Sequence, residues 1–543
     1  MLEGLMQHDH PLTLQLVLER VRRIYPEREV VGVRGGERTS VTYAELAERV
    51  DRLASALGRL GIGPGDRVAT FAWNCQEHLE GYLAVPCTGA VLHTVNVRLF
   101  EDQVAYIVNH AEDRAIVVDE SLVPVLEELA PRFETVRHYI VTGSGDGGSL
   151  PNAVAYEELL AGEDPGFDYP RLDELQAAGL CYTSGTTGDP KGVLYSHRSN
   201  VLHAMGQCMT DSMGLRSSDR VMPVVPMFHA NAWGIPYGSG LTGATLVMPG
   251  SDLSAEALAR LIRDEAVTVS AAVPTIWMDL LRHADEGGTD LSSLRLVICG
   301  GSAVPLKLMQ DFEERHGVRI VQAWGMTETS PLGSTALPPA GVEGESAWEF
   351  RDTAGRPGPL VEIRIVRDGR EVPWDGESTG ELQVRGPWIA SDYYEDPSGA
   401  DKFDNGWLRT GDIASIDSRG FVRITDRSKD VIKSGGEWIS SVELENELMG
   451  HPAVKEAAVI ARPDERWGER PLACVVVEEG QEPTLEELQE HLASRVAKWW
   501  IPEQMAIVDA VPKTSVGKFD KKLLRRQLEE GRLATEGGRS AVS

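Results

Sequence analysis

Two rhythms of apolar residues run along the chain. One has helical spacing: TYAELAERVDRLASALGRL, starting at Thr42, predicts an amphipathic helix with a threonine cap, and the positions from Leu12 to Val21 predict another near the start. The other is short and β-branched. DRVATFAW follows the first helix, AIVVD follows AYIVNHAED, TVSAAV follows LARLIRDEAV, and SSLRLVICG repeats the pairing. Such alternation between about 40 and 300 predicts parallel α/β layers. After about 345 the rhythm changes: VEIRIV, GELQVRG and FVRIT are alternating strands separated by Gly, Asp and Pro turns. They predict a small antiparallel or barrel-like subdomain.

The stretch DRSKDVIKS at 426–434 places three cations in a hydrophilic connector, and SSVELENELMG, VKEAAVIA, LACVVVEE and TLEELQEHLASRVAKW follow it. The expected architecture is a large multi-layered α/β N-terminal domain over 1–425, with a β-rich subdomain at 346–425. A connector at 426–430 leads to an α+β C-terminal domain at 431–530, and GRLATEGGRSAVS at 531–543 is expected to be disordered. GSGDGGS at 143–149 reads as a surface loop, since no strand and helix flank its glycines in the dinucleotide-binding pattern.

Composition narrows the function. With 543 residues the chain exceeds one hydrophobic core. A formal charge of -30 argues against a nucleic-acid binder and against docking on an anionic membrane. Six cysteines show no CxxC pair and no metal-ligand spacing, so they are expected to be reduced, buried thiols. The first residues lack the charged and apolar regions of a signal peptide, and no run reaches the ~18 apolar residues of a membrane span. A soluble, cytoplasmic protein is expected.

Candidate chemistry centres on YTSGTTGDPKG at 182–192, where three glycines, three threonines, a serine and one lysine follow an apolar strand. The spacing fails the GxxxxGK[ST] phosphate loop, yet the physics of anion binding survives. Glycines at 185, 188 and 192 let backbone N–H groups converge on an anion, Thr183, Ser184, Thr186 and Thr187 add hydroxyls, and Lys191 adds a point charge.

Later segments appear in a fixed order: VQAWGMTETSP at 321–331, GWLRTGD at 406–412, DRSKDVIKSGGEWIS at 426–440 and PKTSVGK at 512–518. Together with YTSGTTGDPKG they resemble the signature motifs of the adenylate-forming superfamily, which includes acyl-CoA synthetases, peptide-synthetase adenylation domains and luciferases. VLHTVN, VVPMFHANAW, SGGEWISSVELENELMGHP and AKWW bring the likeness nearest to bacterial medium- to long-chain fatty acyl-CoA synthetases.

The resemblance implies ATP-dependent activation of a carboxylic acid to an acyl-adenylate, release of pyrophosphate, and transfer to coenzyme A, with ATP, Mg²⁺ and CoA as reactants. The loop with Thr183, Ser184, Gly185, Thr186, Thr187, Gly188 and Lys191 would hold the β- and γ-phosphates. Glu328 would bind Mg²⁺, Thr327 would touch the α-phosphate, and Trp324, where relatives more often carry tyrosine, would stack on adenine beside Gly325 and Met326. Gly300, Gly301 and Ser302 would line the adenine and acyl pockets, Asp412 would accept the ribose hydroxyls, and Arg427 would complete the nucleotide site. His229 would border the reacting carboxylate, with Trp233 as a gate to the acyl pocket.

By the same resemblance, Lys518 would be the catalytic lysine, Asp426 the hinge, and Lys433, Gly435, Gly436 and Trp438 the thiolation face. Members of that branch include homodimers, so self-association is implied as well. An aryl- or short-acid:CoA ligase and a stand-alone enzyme loading a carrier protein remain the alternatives. In isolation Trp324 would read as a core aromatic, and Asp412 as a Gly-Asp turn.

Overall fold

The computed structural model describes residues 2, 4–7, 9–145, 147–183, 189–427, 429–434, 437–464, 466–513 and 519–537. Ser184, Gly185, Thr186, Thr187, Gly188, Gly435, Gly436 and Lys518 lie outside the described residues, as does the side chain of Trp438.

Among the described residues, four sheets organise the molecule. The largest has nine strands, in the order Arg356–Pro357, Leu332–Thr335, Ile320–Gly325, Leu296–Gly300, Val269–Ala272, Arg220–Pro223, Thr245–Met248, Glu29–Arg34 and Glu37–Thr42. Its six central strands are parallel, and antiparallel neighbours close both edges. Runs such as Leu296–Gly300 are buried along their whole length, which explains why their apolar residues do not alternate.

A seven-stranded sheet runs Ala153–Ala155, His138–Thr142, Asp113–Asp119, Arg67–Phe71, Val91–Thr94, Ala177–Tyr182 and Gly192–Ser196. Only its last pair is antiparallel, and that pair encloses residues 183–191.

The helix expected from Thr42 spans Tyr43–Arg59. Thr42 Oγ1 accepts from the Glu45 N–H at 3.2 Å, while Glu45 Oε2 accepts from the Thr42 N–H at 2.7 Å. This reciprocal cap satisfies two donors that the first turn leaves unpaired. The helix expected at Leu12–Val21 is shorter: α-helix covers Gln15–Glu19, and a π-turn follows over Arg20–Ile24. In the wider turn Arg20 Nε donates to the Leu241 carbonyl at 2.7 Å, and its guanidinium covers the Tyr25 ring. Periodicity alone does not report such a tertiary anchor.

The antiparallel sheet after the large layers comprises Arg370–Glu371, Glu362–Arg367, Gly380–Arg385, Trp407–Ile416 and Phe403–Asp404, with Val422–Arg427 paired to Trp407–Ile416. It begins later than the expected 346, because Glu345–Arg351 is a helix and Arg356–Pro357 joins the nine-stranded sheet. Asp426 and Arg427, placed by sequence in a connector, end a strand instead.

The last sheet orders Glu437–Ile439, Ile432–Ser434, Gly468–Val477, Gln504–Ile507 and Glu536–Gly537, and Val454–Asp464 pairs with Gly468–Val477. Glu536–Gly537 corrects the expectation of a disordered tail from 531: these residues pair with Gln504 and Met505 at an otherwise open strand edge. Among the described residues no helix is long and apolar enough to cross a membrane. All six cysteines are free thiols, four of them buried.

Candidate active site

The carboxyl ends of the parallel strands carry most of the candidate residues. Ligands of open α/β sheets bind there, because loops leave the sheet edge together and aim their backbone groups outward. Strand Ile320–Gly325 delivers Trp324 and Gly325, and a single turn at Thr327–Thr329 then turns Thr327 and Glu328 inward, each 6% exposed. Two tyrosines fix this turn. Tyr195 O–H donates to the Thr327 carbonyl at 2.7 Å, and Tyr393 O–H donates to Glu328 Oε1 at 2.6 Å.

Thr183 and Lys191 close the neck of the hydroxyl-rich loop. The Thr183 N–H donates to the Lys191 carbonyl at 2.9 Å, and the Lys191 N–H donates to Thr183 Oγ1 at 3.1 Å. Lys191 Nζ lies 2.9 Å from Asp396 Oδ2 and 5.0 Å from the centroid of the Tyr393 ring.

Asp412 is nearly buried in the strand Trp407–Ile416. Trp324 Nε1 donates to its Oδ2 at 2.9 Å, and Arg427 Nε to its Oδ1 at 2.7 Å. The Trp324 ring lies directly on Gly333, where a Cβ would stand 2.3 Å from Cζ3, so only glycine admits the indole in this pose. Met326, one residue past the strand, donates its N–H to Thr329 Oγ1 at 2.9 Å.

Gly300 ends the neighbouring strand. A Cβ there would meet the Ala323 carbonyl oxygen at 2.5 Å and Trp233 Cη2 at 3.3 Å, so the indole at 233 seats on the strand end beside Ala323. Gly301 has positive φ, and Ser302 is exposed.

The segment that brings Trp233 there is unusual. After His229, residues Ala230, Asn231, Ala232 and Trp233 all adopt left-handed φ of 43°, 52°, 47° and 55°. Each such L-residue costs roughly 1–2 kcal/mol, so the turn persists only because its surroundings hold it. The Ala230 N–H points at Cys181 Sγ at 3.3 Å, Thr94 Oγ1 donates to Asn231 Oδ1 at 3.3 Å, and the Ala232 N–H donates to the Pro226 carbonyl at 3.2 Å. His229 is half-buried at its entrance.

On the C-terminal domain, Lys433 lies in the hairpin Ile432–Ser434/Glu437–Ile439 opposite Trp438, and its N–H donates to Glu469 Oε2 at 2.7 Å. Asp426 is buried. Its Oδ2 accepts from the Ser441 N–H at 2.8 Å and from Ser441 Oγ at 2.5 Å. Lys521 Nζ donates to Ser441 Oγ at 2.6 Å and pairs with Glu445 Oε1 at 2.7 Å. Burial pushes the carboxyls of Asp426 and Glu445 up, the latter to about 7, with Lys521 opposing the shift in both.

Tyr195, Tyr393 and Asp396 escaped the sequence reading. Each acts on a residue 65 or more positions away or from a short aromatic-polar run, SDYYED, that has no period.

An AMP-binding enzyme model matches residues 18–394, and an AMP-binding enzyme C-terminal domain model matches residues 443–518. The chain belongs to the AMP-binding enzyme family. Among relatives of this AMP-binding enzyme, a long-chain-fatty-acid–CoA ligase of Thermus thermophilus is 47% identical over 96% of each chain. A 3-methylmercaptopropionyl-CoA ligase of Ruegeria lacuscaerulensis is 44% identical over 96% of this chain and 98% of its own. The solved structure of an anthranilate CoA ligase in complex with anthranoyl-AMP superposes with a TM-score of 0.87 at 26% identity, covering 96% of this chain and 99% of that one.

Among the described residues no group of three or more His, Cys, Asp and Glu could hold a metal by itself. A lone carboxylate such as Glu328 still fits Mg²⁺, which keeps waters and takes its other ligands from phosphate oxygens.

Proposed function

We propose that this AMP-binding enzyme activates a medium- to long-chain fatty acid with ATP and passes the acyl group to coenzyme A. The observation that carries the reading is that Tyr393 joins Glu328 and Lys191 while, on the strand leading to Glu328, Trp324 binds Asp412 together with Arg427. That arrangement offers an aromatic face for a base, a buried carboxylate for ribose hydroxyls, and a cation and an acid for a metal-bound triphosphate.

In the first step a carboxylate oxygen attacks the α-phosphorus. The bond to the bridging oxygen breaks, giving acyl-AMP and pyrophosphate. The residues supply position and charge compensation more than covalent chemistry. Lys191 and the loop at 183–188 hold the β- and γ-phosphates, Thr327 faces the α-phosphate, and Lys518 offsets charge at the reacting carboxylate. Glu328 would hold Mg²⁺, which when bound would supply charge compensation for the phosphates. In the second step the thiol sulfur of coenzyme A attacks the acyl carbonyl, loses its proton, and expels AMP. Lys433, Gly435, Gly436 and Trp438 form the face that admits the thiol, and His229, Trp233, Gly300, Gly301 and Ser302 border the acyl group.

A second reading, a short-acid ligase, is favoured by the seating of Trp233 on Gly300, where a Cβ would stand 3.3 Å from its Cη2. Acid-dependent ATP–pyrophosphate exchange and CoA thioester formation, measured with acids of two to eighteen carbons and with aromatic acids, separate the readings. An optimum at six carbons or more supports the fatty acid. A sharp optimum at four or fewer supports the short acid, and no exchange with any acid rejects both. A homodimeric, cytoplasmic enzyme belongs to the same reading, and sedimentation of the purified chain tests the dimer.

A further inference from the structure

Lys191 and Glu328 belong to separate motifs 137 positions apart, yet both meet one side chain outside either motif. The Tyr393 hydroxyl donates to Glu328 Oε1 at 2.6 Å, and the Lys191 ammonium lies 5.0 Å from the centroid of its ring. The segment bearing Tyr393 is tied to both. The Ala390 N–H donates to the Glu328 carbonyl at 2.8 Å, and the Tyr394 N–H donates to the Gly192 carbonyl at 2.8 Å. The ring itself is buried with Cys181, Val193 and Tyr195, from the two strands that enclose the phosphate loop, and packs edge-on against Phe403.

Lys191 pairs with Asp396, three residues beyond the tyrosine, and among the described residues makes no ion pair with Glu328. An ammonium and a carboxylate this close to a common ring would neutralise each other if either could swing across. The phenol prevents that in two ways. Its hydroxyl fixes one carboxylate oxygen, leaving the other to a cation, and its face provides the ammonium with a seat of its own.

Resting on the reading of this region as an ATP site, we propose that Tyr393 is a positioning residue for metal-bound triphosphate. It orients Glu328 and keeps Lys191 apart from it, while Asp396 is the counter-ion that the phosphates displace from Lys191. Tyr393 touches neither reacting atom, so its effect appears in how nucleotide and metal bind.

Titration calorimetry of the full chain with MgATP, with ATP in chelator, and with AMP tests this. Tyr393→Phe keeps the ring and removes the hydroxyl. It should weaken MgATP about tenfold, the scale of one charge-assisted hydrogen bond, while ATP in chelator and AMP bind within about twofold of the parent. Asp396→Asn should tighten ATP in chelator about threefold by removing the competing anion. Unchanged MgATP binding by Tyr393→Phe, or equal weakening of MgATP and AMP, overturns the positioning role. Unchanged ATP binding by Asp396→Asn overturns the counter-ion. Failure of the parent chain to bind any of the three nucleotides rejects the ATP site itself, a result distinct from all of these.

Discussion

The strand ends of the large sheets and the root of the C-terminal domain both bury carboxylates, and they do so in opposite ways. Beside the strand end at Gly325, Glu328 is held by a phenol, while Asp412, on the antiparallel strand Trp407–Ile416, is held by an indole and a guanidinium. At the root of the C-terminal domain Asp426 and Glu445 crowd around the ammonium of Lys521, joined through Ser441. Burial pushes both of these carboxyls up, so that cluster works against desolvation, as buried ion pairs commonly do. The first arrangement suits a site that must keep one geometry. The second suits a contact that can be exchanged for another.

Four experiments probe the contrast, beginning with the largest effect. Lys518→Ala should slow adenylate formation about 10³-fold, on the scale of losing one electrostatic stabiliser, and leave thioester formation from supplied acyl-AMP nearly intact. Equal loss of both half-reactions would show that the two regions do not divide the chemistry. Gly436→Leu should do the converse, cutting thioester formation about 10²-fold with pyrophosphate exchange retained, if this glycine belongs to the proposed thiolation face. Thiolation at the parental rate would remove Gly436 from the proposed thiolation face.

Trp324→Phe preserves a stacking face but loses the N–H that holds Asp412. It should raise the KM for ATP about fivefold and shrink the preference for ATP over 2′-deoxy-ATP, because the ribose carboxylate is less well oriented. A raised KM with unaltered sugar discrimination would instead mean that the indole acts on the base alone.

The smallest effect concerns the crowded cluster. A carboxyl raised from 4.5 to about 7 is protonated in the folded chain at a pH where the unfolded chain has already released its proton. Glu445 therefore takes stability away as pH rises from about 4.5 to about 7, after which its contribution levels off. Glu445→Gln should flatten the fall of the melting temperature over that range. A parallel slope in both proteins would assign the pH dependence to other groups.

Much of this was legible in the sequence where cause and effect are local. The helix at Tyr43–Arg59 and its cap depend on residues three or four apart, and the strands of the parallel layers announce themselves by composition. The chemistry-bearing motifs were legible for the same reason, since each is one continuous run. What escaped is non-local. Tyr195 finds Thr327 across 132 positions and Tyr393 finds Glu328 across 65, so neither leaves a pattern near itself. The left-handed turn after His229 contains alanines and a tryptophan, which favour other conformations, and it is dictated by Cys181, Thr94 and Pro226. The strand Glu536–Gly537 depends on an edge made thirty residues earlier.

That turn limits how the enzyme can be re-engineered. Four consecutive residues held at positive φ exclude β-branched replacements, and bulkier ones at Ala230 and Ala232 would have to fit into buried space. Libraries that aim to change the accepted acid by randomising 230–233 would therefore consist largely of misfolded chains. Diversity is better placed at Ser302, which is exposed and lies outside the left-handed turn.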